Sequence, residues 1–215
     1  MAVPGVSERS SAERAPGLPL AGRIAAVAVT GVAVGAATSV LQKYLNQPWL
    51  SLVNSASPWL TPMFGLGALW RRPAAAAVAG FMTGLLELAG YYVTAAARGY
   101  PAGGGILLFW TACAVAGGPV LGASGWLWWR GPRRLSGLGA SVLPASFLAE
   151  AAVAYAWRLH YYSSAVLLAV IGMAVLGLTG LRGRQLGRAA VWLLVSFPAA
   201  AAAEVLLDLI YRQRF

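Results

Sequence analysis

Four carboxylic acids lie inside long apolar runs: Glu87, Glu150, Glu204 and Asp208. A charged side chain at the centre of a bilayer costs roughly 2.5–3.5 kcal/mol on insertion scales, so acids kept there mark function or specific pairing. A carboxyl group in such a place can pair with a cation, hydrogen-bond a polar ligand, or give up a proton as a general acid. Asp208 follows Glu204 by four residues and shares its helical face. The remaining acids, Glu8 and Glu13, sit in a polar N-terminal stretch.

Other polar and aromatic residues fall near the same depth. Ser51, Asn54, Ser55, Ser57 and Trp59 come from one interrupted apolar run, and Gln42, Tyr91, Tyr92, Trp110, Tyr155 and Tyr211 from the same ends of others. Carboxylates beside aromatic faces favour a cation or an electron-poor ring. The expectation is therefore an outward-facing acidic and aromatic cavity. In it Glu87, Glu150 and Glu204 hold the polar or cationic part of a small organic molecule, Asn54 hydrogen-bonds it, and Tyr91 and Tyr155 stack on it. Two plainer readings stand beside this one. Glu204 and Asp208 could pair with Arg212 and Arg214, and Glu87 and Glu150 could be protonated glue between helices.

The elements that must carry these residues follow from composition. Of 215 residues, 59% are apolar and 10% charged, and the mean hydropathy is +0.68. A soluble domain carries about 25% charge, so the chain is read as an integral membrane protein. Spans of about 20 apolar residues fall at 24–44, 49–70, 74–97, 104–129, 136–157, 162–181 and 189–211. The fold class is all-α, a polytopic helical bundle of about seven transmembrane helices. The second span, interrupted by Asn54, Ser55, Ser57, Pro58, Thr61 and Pro62, is expected to be kinked or broken. Residues 1–22 read as a disordered cytoplasmic tail and 23–215 as a single transmembrane domain. The apolar run after Arg23 is taken as an uncleaved first span, since it runs on to Tyr44 and more spans follow.

Charge sets the orientation. Eleven of the sixteen basic residues fall in the tail or in loops on one side, among them Arg71, Arg72, Arg130, Arg133, Arg134, Arg182, Arg184 and Arg188; Lys43, Arg98, Arg158, Arg212 and Arg214 fall on the other. The positive-inside rule then places the N-terminus in the cytoplasm, the C-terminus outside, and the protein in the cell (inner) membrane. The formal net charge of +10 reports topology, and no nucleic-acid partner is expected. The bilayer itself is the expected partner of the apolar helices. With one cysteine, Cys113, and one histidine, His160, Cys/His catalysis, a zinc site and a disulfide framework are excluded, and no cofactor is expected. Gly31 and Gly35 form a GxxxG pair that serves either internal packing or docking of another membrane subunit.

An internal pattern recurs. Trp70–Arg71–Arg72 precedes the helix carrying Glu87, Trp129–Arg130 the helix carrying Glu150, and Leu181–Arg182 the helix carrying Glu204. The pattern reads as one helix plus three degenerate hairpins, and repeats of this kind often place a site at their interface.

The segments Ser51–Leu52–Val53–Asn54–Ser55–Ala56–Ser57–Pro58–Trp59, Arg98–Gly99–Tyr100–Pro101 and Gly117–Gly118–Pro119–Val120–Leu121–Gly122 together resemble an uncharacterised multi-pass family of bacterial membrane proteins. More distantly, the small-residue first helix and the Arg71–Arg72–Pro73 junction resemble substrate-binding S components of energy-coupling factor transporters. That resemblance implies a vitamin-type ligand in an outward-facing pocket and a scaffold subunit docked on the first helix. The seventh expected helix departs from their pattern. Glu87 in Leu85–Leu86–Glu87–Leu88 and Asp208 in Leu206–Leu207–Asp208–Leu209 also resemble the buried acids of integral-membrane terpene cyclases. This second resemblance implies an isoprenoid-cyclising enzyme with those two residues as acids. Binding and transport of a small organic molecule is the leading expectation; the cyclase and an accessory subunit of a larger membrane complex are the alternatives.

Overall fold

The computed structural model describes residues 18–214, so most of the tail read at 1–22 lies outside the described residues. The described chain is helical, with no strand. Six helices are long and apolar enough to cross a membrane: α1 (Leu20–Leu41), α4 (Pro73–Ala97), α5 (Gly104–Arg130), α6 (Leu138–Glu150), α7 (Tyr162–Leu181) and α8 (Leu186–Arg214). α6 reaches that length because a π-helical stretch, Ala151–Arg158, continues it. α1 begins three residues before the boundary expected at 23, because Leu20–Gly22 extend the apolar helix back to Pro19.

The segment expected at 49–70 is two short helices, α2 (Ser51–Asn54) and α3 (Ala56–Gly67). Pro58 explains the break. In an unbroken helix its ring would clash with the carbonyl of Asn54, and its missing N–H would cost a bond. With Ser55 extended (φ −98°, ψ 150°), Pro58 falls in the first turn of α3, where no donor is needed. The pair still carries the chain across. Gly31 abuts Thr83 and Leu86 while Gly35 abuts Glu87 and Tyr91, so α1 and α4 run parallel. The chain must therefore return between them through α2 and α3.

The two ends of the bundle differ as the charges foretell. At one end Arg23 lies over the Trp70 ring (5.9 Å), Trp126 Nε1 donates to the Arg71 carbonyl (3.1 Å), and Arg130 donates to the Ala68 carbonyl. Arg182 lies over Trp128 at the same end (5.8 Å). Arg98 and Arg158 belong to the opposite end, where Arg98 donates to the Ser39 carbonyl.

Helix contacts run through small residues, since close approach replaces hydrophobic burial as the driving force inside a bilayer. A Cβ on Gly35 would overlap the Glu87 carbonyl oxygen. Gly67, Gly80 and Gly122 bring α3, α4 and α5 into one backbone seam. Gly31 and Gly35 are thus buried against α4 of the same chain. Of the two readings of this pair, internal packing is the one observed, and docking of another subunit on Gly31/Gly35 is corrected: a helix cannot dock where another already touches backbone to backbone. α8 is the most peripheral helix, tied to α6 by a Ser141–Ser196 hydroxyl bond (2.9 Å) and showing Leu194, Val195 and Leu206 on its exposed side.

Candidate ligand cavity

Where α3, α4 and α5 diverge, at the end away from the Arg71 and Arg130 cluster, they enclose a cavity of about 540 Å³. Each helix offers one face at helical spacing: Ala56, Trp59, Leu60 and Met63 from α3; Gly84, Leu88, Tyr91, Tyr92 and Ala95 from α4; Ile106, Trp110, Cys113 and Ala114 from α5. Tyr100 and Gly103 close over it from the α4–α5 loop. Gly118 forms part of the floor and abuts Gly80, so the glycine seam seals the cavity toward the basic end. Aromatic rings dominate the wall. Trp59 tilts against Tyr91 (centroids 5.6 Å apart), and Tyr91 meets Tyr92 edge-on (5.0 Å).

The polar edge comes from the break between α2 and α3. Gln42 Nε2 donates to Asn54 Oδ1 (2.6 Å) and lies 3.4 Å from the Val53 carbonyl oxygen. That carbonyl is an acceptor only, which fixes the Gln42 amide with its nitrogen toward α2. Gln42 Oε1 then receives the Tyr91 hydroxyl (2.9 Å). Asn54 and Tyr91 therefore both line the cavity, joined through Gln42.

The acids are placed otherwise, and among the described residues no Asp, Glu, Lys, Arg or His lines this cavity. The acidic character expected of it is thus corrected. Glu87 is fully buried at the α1–α4 contact, and neither oxygen finds a hydrogen-bond partner among the described residues. Glu150 is buried too; its two oxygens accept from the Ala56 and Ser57 backbone N–H groups, each at 2.8 Å. It caps the half-helix that Pro58 creates, taking the two donors that the break would orphan. Tyr155, expected to stack on ligand, instead accepts from Ser55 Oγ (2.9 Å) behind the cavity wall. Glu204 faces the same region from α8, within electrostatic range of Glu150 and Arg158. Asp208 is engaged by Arg158 (2.7 Å) and Arg212 (2.9 Å), the pairing that the plainer reading anticipated for Arg212. The three glutamates of the repeat pattern therefore occupy three unlike settings.

An orphaned polar group carries its full desolvation cost, about 1–3 kcal/mol, and Glu87 is such a group. Glu87→Met is accordingly expected to raise stability by roughly that amount, since Met fills similar volume without a polar atom. Thermal unfolding in detergent reads this directly, and a lower midpoint would show that Glu87 has a partner in the native protein.

Residues 14–212 match a family of unknown function, DUF6518. The chain belongs to that family. The match reaches into every described helix. No curated protein and no solved structure matches the chain, so neither an S component nor a terpene cyclase supports those readings. Membership of DUF6518 brings no activity with it, and the functional argument rests on the cavity.

Sequence reasoning assigned no cavity role to several lining residues, among them Leu60, Met63, Tyr100, Ile106 and Cys113. Ile106, Trp110, Cys113 and Ala114 are spaced for one helical face, but the neighbouring residues of α5 are as apolar as they are, so spacing alone singles out no face.

Proposed function

We propose that this membrane protein binds a small organic molecule in the cavity between α3, α4 and α5, and that binding serves transport. One observation carries the reading: a 540 Å³ space walled by aromatic rings, with a few placed polar groups, beside a broken helix. Ligand sites are concave, largely apolar, and oriented by a small number of polar groups. Discontinuous helices whose freed backbone groups line a cavity are a recurring part of transporter substrate sites. With the positive-inside orientation the cavity opens outward, and the Gly80–Gly118 seam is the inner gate. The cyclase reading loses ground because Asp208 is held by two arginines and neither it nor Glu87 lines the cavity.

Trp59 presents the wall that meets both the cavity and Tyr91. Trp59→Ala removes a large ring surface, and ring stacking is worth about 0.5–1.5 kcal/mol beyond area burial. The small molecule that accompanies the protein purified from its own membranes, quantified by mass spectrometry of an organic extract, is expected near one per chain. In the variant it should fall at least tenfold with the unfolding midpoint retained. Equal occupancy in both proteins, or no stoichiometric molecule in either, would remove the reading. Uptake of that molecule into proteoliposomes then tests transport separately from binding.

A further inference from the structure

Building on the cavity as a ligand site, we infer that its ligand is a neutral, planar ring compound bearing hydrogen-bond acceptors of the carbonyl type, not a cation. Three observations lead there. The lining carries no ionisable acid or base of the Asp, Glu, Lys, Arg or His kind, so a charged ligand would enter an apolar space without a counter-charge, which is costly. A positive charge lies beside the loop that closes the cavity: the Arg98 guanidinium is 5.7 Å from the centroid of the Tyr100 ring and is anchored on Ser39. A cationic ligand would meet that charge, and Arg98 already occupies a face of the Tyr100 ring.

The third observation is the balance of donors and acceptors. Gln42, oriented by the Val53 carbonyl, uses both ends of its amide within the protein and occupies Asn54 Oδ1. The Asn54 amide nitrogen has no hydrogen-bond partner among the described residues. Trp59 and Trp110 each add an indole N–H, a donor with no acceptor capacity, and neither has a hydrogen-bonded partner among the described residues. The lining side chains of Asn54, Trp59 and Trp110 thus carry N–H donors without a partner among the described residues, beside the Tyr92 and Tyr100 hydroxyls, which can donate or accept. A ligand satisfies them with acceptor oxygens or nitrogens carried on a flat ring that fits among Trp59, Tyr91 and Tyr92.

Four probes on one ring system separate the possibilities: 2,3-dimethyl-1,4-naphthoquinone, 2,3-dimethylnaphthalene, N,N,N-trimethyl-2-naphthylammonium and 2-naphthoate. Calorimetric titration of the full chain in nanodiscs, corrected with empty nanodiscs, should give the quinone at least tenfold tighter binding than each of the others. Asn54→Asp keeps the oxygen that Gln42 uses and replaces the free N–H pair with a second oxygen. It should weaken the quinone at least tenfold, leave the hydrocarbon unchanged, and strengthen the ammonium probe. The unchanged hydrocarbon reports that the cavity is intact. Tightest binding of the ammonium or naphthoate probe would overturn the neutral class while leaving the cavity as a ligand site. A hydrocarbon bound as tightly as the quinone would overturn the donor argument. If none of the four binds above the nanodisc background, the cavity is not a ligand site and the functional reading falls with the inference.

Discussion

Glu150→Ala should destabilise the protein by roughly 2–5 kcal/mol, because it strands two buried N–H groups that each carry a desolvation cost of about 1–3 kcal/mol. Those groups are the first two donors of α3, Ala56 N and Ser57 N, and the carboxyl oxygens of Glu150 take one each. Pro58 contributes no third donor, so the side chain closes the half-helix completely over its first three positions. In a bilayer no water can stand in for it, and irregular backbone persists there only where protein satisfies it. The ordering among variants is the sharper check. Glu150→Gln keeps one acceptor but turns an amide N–H toward the other backbone N–H, so it should recover less than half of the loss. Glu150→Asp keeps both oxygens and should recover more than Gln. Unfolding by increasing sodium dodecyl sulfate in mixed micelles measures the series. A Gln variant as stable as the native protein would show that the two N–H groups are not held as a pair. Because Ser55 and Ala56 also line the cavity, the Ala variant should lose the bound small molecule as well.

The break that Glu150 caps was legible before the fold was known. Pro58 and Pro62 cannot both lie in the middle of one straight helix, and the polar residues around them sit at a single point of the run. Six of the seven expected apolar runs are single long helices, with ends up to four residues from where the composition put them, because the bilayer enforces length and composition. The facing of the acids was not. A soluble helix displays its buried side as an apolar stripe, but the spans here are apolar all round and leave the rotation of each helix unmarked. Glu87 lies one turn from Tyr91 on the same face of α4, yet Tyr91 and Tyr92 line the cavity while Glu87 is fully buried outside its lining. The depth of Glu150 was readable from its position in the run, while its partner is backbone of another helix, which no side-chain pattern announces.

Rotation is set instead by the glycines, and that makes Gly35 the second site of large effect. The backbone of α1 meets α4 where a Cβ on Gly35 would collide with the Glu87 carbonyl oxygen and crowd the Tyr91 amide nitrogen. Both neighbours are backbone inside a continuous helix, so neither can swing aside as a flexible side chain would. Gly35→Ala must then push α1 and α4 apart or turn one against the other. Overpacking of a well-packed contact costs typically 1–3 kcal/mol and sometimes more, and the clash here is with main chain, which places Gly35→Ala at the upper end or beyond. Gly65 provides the internal control. It lies on α3 with nothing within 4 Å of where its Cβ would be, so Gly65→Ala should be neutral, or stabilising by up to about 1 kcal/mol through helix propensity. The two variants add the same methyl group to helices of the same bundle, and only the contact distinguishes them. Comparable unfolding midpoints would mean that α1 does not pack on α4 through Gly35. A drop confined to Gly35→Ala, accompanied by weaker binding at the Tyr91 wall, would tie the rotation of α4 to the shape of the cavity.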